Sequence, residues 1–123
     1  MARRRAFSII YDPGALDHLE AIERKHHKLI RQIIEQQLTF EPDVPTRDRK
    51  PLTREVEFDA DWELRFGPDN RFRVFHAVDS EVRDLQVLAI GVKRGNRLFI
   101  GGEESTYENR IRGRRESQVE RVC

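Results

Sequence analysis

Two arginines occupy the positions best suited to phosphate chemistry. Arg73 lies in FRVF at 72–75, a permanently charged guanidinium in the middle of an apolar run. Arg94 lies in VKRGNR at 92–97, where another apolar run ends in a basic cluster with Lys93 and Arg97. A guanidinium offers donors in a fork that matches phosphate oxygens and keeps its charge at any working pH, so it can hold a phosphate and stabilise charge developing there. For the same reason it cannot be a general base. An arginine inside a strand must otherwise reach solvent or pair with a carboxylate, and Asp61 and Glu63 on the preceding run are in position to pair with it. Arg47, Arg49 and Lys50, with Arg54 just beyond, form a second basic group, which suits electrostatic contact with a nucleic-acid backbone.

The other reactive side chains point to less. His26 and His27 are adjacent, His18 is eight residues before His26, and no cysteine pair accompanies them, so familiar zinc spacings are missing. His76 falls on the strand face opposite Arg73 and reads as a packed core residue. Trp62 is in phase with Leu64 and Phe66, which favours core packing over stacking on a base. No cofactor or metal is implied.

The elements that must position these residues follow from pattern. WELRF at 62–66 and RFRVFHAV at 71–78 alternate with period two and flank GPDN at 67–70, the signature of two strands joined by a tight turn. FSIIY at 7–11 reads as a first strand, and Asp12-Pro13 as a helix start. Leu16, Leu19 and Ile22, then Leu29, Ile30, Ile33, Ile34 and Leu38, form two amphipathic stripes separated by KHHK at 25–28, which predicts a helical pair. FEPDVPTRDRKPLT at 40–53 holds three of the five prolines and reads as a loop. DLQVLAIGV at 84–92 is apolar on both faces, as a covered central strand would be, and LFI at 98–100 closes the core. The order of strand, two helices, loop and three strands predicts a two-layer α+β domain over 1–104, with a charged tail at 105–123 that is frayed or disordered.

Composition sets the class. The chain has 123 residues, 37% apolar and 37% charged, with a net charge of +1, enough for one domain with a real core and a highly charged surface. The single cysteine, Cys123, excludes an internal disulfide and fits a reducing compartment. No apolar run approaches the roughly 18 residues of a membrane span. With no secretory signal pattern at MARRRAF, the expectation is a cytoplasmic protein.

The succession TRDRKPL, WELRFG, FRVFHAVD and VLAIGVKRGNRLFIGGEE resembles the RelE/ParE superfamily of toxins from prokaryotic toxin–antitoxin modules, over residues 7–104. The resemblance implies a RelE-like fold and a cognate antitoxin that covers an apolar groove. It also implies one of two activities. RelE-like members cut messenger RNA at the ribosome, with arginines matching Arg73 and Arg94 at the scissile phosphate and with Arg47, Arg49, Lys50, Arg65, Lys93 and Arg97 as contacts to RNA. ParE-like members inhibit DNA gyrase without being nucleases. An attenuated member acting through antitoxin binding and operon co-repression is a third reading. The chain departs from the RelE pattern at Asp61 and Glu63, where lysines are usual, and at Phe99 and Ile100, near the usual place of a tyrosine; Tyr107 comes several residues later. A nuclease reading therefore needs another group to handle the proton.

Overall fold

The computed structural model describes residues 5–52 and 59–105. Asp12 starts the first helix as expected: its Oδ2 accepts from the Gly14 N–H at 2.9 Å, and Pro13 occupies a first-turn position where no N–H is needed. Helix α1 (Pro13–Glu20) follows strand β1 (Ser8–Tyr11) and leads through a 3-10 turn at Arg24–His26 into α2 (His27–Leu38). The bend needs no glycine. The His27 Nε2 lies 2.7 Å from the Ile22 carbonyl and ties the start of α2 to the segment that follows α1.

The remaining strands are β2 (Arg49–Pro51), β3 (Trp62–Phe66), β4 (Phe72–Asp79), β5 (Asp84–Arg94), β6 (Arg97–Ile100) and β7 (Glu103–Ser105). They form one sheet in the order β2-β3-β4-β5-β6-β7, with antiparallel neighbours throughout, and β1 pairs in parallel with the start of β5. The two-layer α+β architecture is the one the sequence predicts. Two short strands are additional: β2 lies inside the expected loop, and β7 reaches into the expected tail. From residue 106 onward that tail, with Tyr107, lies outside the described residues, as does Arg54. Among the described residues no helix is long and apolar enough to cross a membrane.

The helices cover one sheet face. Ala15 and Leu19 from α1, with Ile30, Ile34 and Leu38 from α2, pack against Leu64, Phe66, Phe72, Val74, Val87, Ile90 and Val92. The i, i+4 spacing of the helical set puts it on one stripe, and period two puts the strand set on one face. The second face carries a smaller cluster of Phe75, Ala89, Leu98, Ile100 and Ala60. In β5 the register with β4 slips between Phe75 and His76, so that Phe75 faces Ala89 and His76 faces Val87. This bulge switches the parity of β5, so Leu85 and Val87 join Ile90 and Val92 on the helix side.

Gly67 sets the turn between β3 and β4. Its φ of 83° and ψ of 178° lie in a region open essentially to glycine, and a Cβ there would come 2.6 Å from Phe72 Cδ2. Gly67→Ala is expected to destabilise the domain by about 2 kcal/mol or more, from backbone strain plus overlap with a buried ring. Urea unfolding at neutral pH checks this, and an unchanged midpoint would refute it.

Candidate anion-binding site

Arg73 is 2% exposed on the face of β4 opposite the helices. Its Nη1 lies 3.2 Å from Glu63 Oε2 on β3, and its Nε donates to the Asn70 carbonyl at 3.1 Å. The other oxygen of Glu63 accepts from Arg65 Nε at 3.0 Å. Arg65 and Arg73 face each other directly across the β3–β4 ladder, so a carboxylate between the two guanidinium groups offsets what would otherwise be like-charge repulsion. Glu63 is buried, at 3% exposure, and sits diagonally from Arg73. Asp61, the other expected acid, is exposed and sits before β3 begins.

The 40–53 loop distributes its cations unevenly. Arg47 and Lys50 are exposed. Arg49 is 3% exposed and donates from Nε to the Val44 carbonyl at 2.7 Å and from Nη1 to the Gln37 carbonyl at 2.5 Å. It ties the end of α2 to β2, and burial lowers its pKa from the usual guanidinium range.

A more accessible set of cations meets where two turns converge. The turn after Gly67 ends in Arg71, and Lys93 and Arg94 are the last two residues of β5 before it turns into β6. The Lys93 N–H donates to the Arg71 carbonyl at 2.6 Å, which locks the two turns together. Arg71, Lys93 and Arg94 line a groove of about 550 Å³ with Pro68, Asp69 and Gly95. Arg94 is exposed, and Arg71 and Lys93 are half-buried. Arg97, on the far side of the turn, is exposed and paired with Glu104 at 3.4 Å.

Arg71 and Arg94 also line a second, smaller cavity of about 170 Å³, with His18, His26, Phe72 and Phe99. Phe72 organises this corner: the His26 ring centroid lies 5.2 Å from its own, and the Arg71 guanidinium sits 5.8 Å from it. The Arg94 guanidinium lies 5.7 Å from the Phe99 ring centre. His18 plugs a gap in the sheet. β1 and β6 pair with the same edge of β5 but leave Ile90 between them, and the Ile90 N–H donates to His18 Nδ1 at 3.3 Å. Burial lowers the His18 pKa, in keeping with an Nδ1 that must stay unprotonated to accept that bond.

Neither protein-family models nor curated proteins match the sequence. Among solved structures, the chain is similar to a chain of the toxin–antitoxin complex RelBE2 from Mycobacterium tuberculosis, with a TM-score of 0.60 and 18% identity over 76% of this chain and 98% of that one. The chain has a RelE-like fold.

On this RelE-like fold the arginines singled out by sequence fall into separate groups. Arg65 and Arg73 share Glu63, Arg49 is internal, and Arg94 with Lys93 faces the open groove. Nothing in the residue pattern signals that Arg71, His26 and Phe99 converge with Arg94, because residues 26, 71 and 99 meet only through the topology. Among the described residues no three His, Cys, Asp or Glu side chains come together as a metal site requires.

His76 belongs to the core of the RelE-like fold. It is fully buried, stacks on its cross-strand partner Trp62 with ring centroids 6.3 Å apart, and places Nε2 3.3 Å from the Pro42 carbonyl. Burial pushes its imidazole down to about 4, against the pull of that hydrogen bond. The unfolded chain takes up this proton near pH 6.5, whereas the native one resists until near 4. Stability from a neutral His76 is therefore complete above pH 6.5 and is lost as pH falls toward 4. Between pH 7 and 4.5 this group should remove about 2–3 kcal/mol. Carboxylates add their own acid dependence, so the check is a comparison: His76→Gln should show a flatter decline in urea-derived stability than the natural chain. Parallel curves would refute it.

Proposed function

We infer that this chain is the toxin of a toxin–antitoxin pair and inhibits translation as a ribosome-dependent mRNA endoribonuclease. The observation that carries the reading is the RelE-like fold, spanning nearly all of a chain from a toxin–antitoxin complex, with an accessible arginine, Arg94, at the end of its central strand. Arg94, Lys93 and Arg71 supply charge for an RNA backbone. In this reading Arg94 holds the scissile phosphate, while Arg73 reaches a phosphate only by exchanging Glu63 for it. An antitoxin is the expected protein partner. Leu16 on α1 and Leu29 on α2 leave large apolar side chains exposed where such a partner would pack.

The buried Arg73–Glu63 pair favours a second reading, in which the chain binds a protein target, such as DNA gyrase, without cutting RNA. Primer extension on a message under translation in a purified bacterial system separates the two. Cuts that appear only with ribosomes present are the expected result. An intact message, with growth still inhibited on expression, would overturn the nuclease reading in favour of the second.

A further inference from the structure

The groove and the smaller cavity share two walls, Arg71 and Arg94, so a ligand lying across them meets two different chemistries within one span. On the groove side three cations, Arg71, Lys93 and Arg94, face one carboxylate, Asp69. On the cavity side the walls include aromatic and imidazole rings: Phe99, half-exposed, the buried Phe72, and His26 against Phe72. The other acid there, Glu23, is engaged by Lys25 at 3.3 Å. The cavity, at about 170 Å³, is well above the roughly 10–15 Å³ that suffices to hold one water.

We propose that this corner binds one nucleotide of a single-stranded nucleic acid, its base in the cavity against Phe99 with His26 at the base edge, and its phosphate in the groove on Arg71, Lys93 and Arg94. A base has a flat face for the ring of Phe99 and polar edges for imidazole nitrogens, and its phosphate lies one sugar away, the same order as the two recesses. A duplex is excluded because its bases are stacked and paired and cannot enter a recess. An acidic protein segment would satisfy the cations but leave the aromatic recess unused. Both arginines are held in place before any ligand arrives. The Lys93–Arg71 backbone bond fixes the two turns, and the guanidinium groups lie near the rings of Phe72 and Phe99, so little ordering is left for binding.

The proposal deepens the RNA-directed reading above, and its test separates the two. Fluorescence anisotropy of the full chain with a dye-labelled single-stranded decaribonucleotide, and with the DNA of the same sequence, reads binding directly. One neutralised phosphate predicts a slope of about −0.7 in log K against log salt. Phe99→Ala should weaken binding about tenfold, the scale of one lost base stack, and Arg71→Glu by at least as much. Preference for RNA over DNA would identify the natural source, and equal binding supports the site for either. In parallel, uridine 3′-monophosphate should shift the His26 ring resonances in the natural chain. Should Phe99→Ala fail to fold, Arg71→Glu and the His26 shift carry the test. Binding unaltered by both substitutions, or no binding and no His26 shift, overturns the site. Ribosome-dependent cleavage without oligonucleotide binding would overturn the site and leave the nuclease reading intact; binding without cleavage would do the reverse.

Discussion

Glu63→Gln is expected to destabilise the domain by about 3 kcal/mol or more, the scale of removing one partner from a buried ion pair. The side chains of Glu63 and Arg73 are 4% and 3% exposed, so the amide would take a carboxylate away from a guanidinium that is desolvated inside the sheet face. Arg65, with 35% of its side chain exposed, can turn to water when it loses the same carboxylate. The cost therefore falls on Arg73. The net worth of such a pair is a separate quantity from the cost of breaking it, since both charges were desolvated to make it. A double variant, Glu63→Leu with Arg73→Met, removes both charges and keeps apolar bulk, and it should recover most of the loss. Urea unfolding of the two single variants and the double variant forms a cycle. Strong coupling is the expected result, and simple additivity would show that the two residues do not act as a pair.

This pair also shows what could and could not be read from sequence. The period-two pattern of β3 and β4 placed Arg73 in an apolar strand and put both Asp61 and Glu63 within plausible reach. Only the register chooses between them: Arg73 faces Arg65, and Glu63 lies diagonally beside both, whereas Asp61 stops short of the ladder. The long elements were legible because many residues repeat one signal. β2 and β7 have three residues each, too few for a period, and are defined by backbone pairing to β3 and β6. Arg49 was hidden for a related reason. It sits in a run of cations with Arg47 and Lys50, and nothing in their types reveals that one of three turns inward to cap the end of α2. The bulge in β5 left only an indirect mark, the apolar character of both of its faces.

On the nuclease reading proposed above, Arg94→Glu is expected to lower ribosome-dependent cleavage by about 10²–10³-fold, the scale of losing one donor to a developing phosphate charge, with charge reversal adding repulsion. The same substitution should change stability by no more than about 1 kcal/mol, since Arg94 is exposed and its contact with Phe99 is of the weak surface kind. Arg73→Glu should behave differently. It places a second carboxylate against Glu63 in a buried site, so activity and fold are expected to fail together, and lost activity in that variant would say nothing about phosphate binding. Arg73→Lys is the more telling companion. A lysine keeps the charge near Glu63 but cannot supply the guanidinium fork. If Arg73 only balances Glu63, Arg73→Lys should cost stability while cleavage by the folded fraction persists. If Arg73 releases Glu63 to grip a phosphate on the ribosome, cleavage by that folded fraction should fall as well. Single-turnover cleavage rates, corrected for the folded fraction measured by urea unfolding, distinguish these outcomes. Full activity in Arg94→Glu would remove the accessible basic turn from the chemistry and return the catalytic role to the sheet face that Glu63 now occupies.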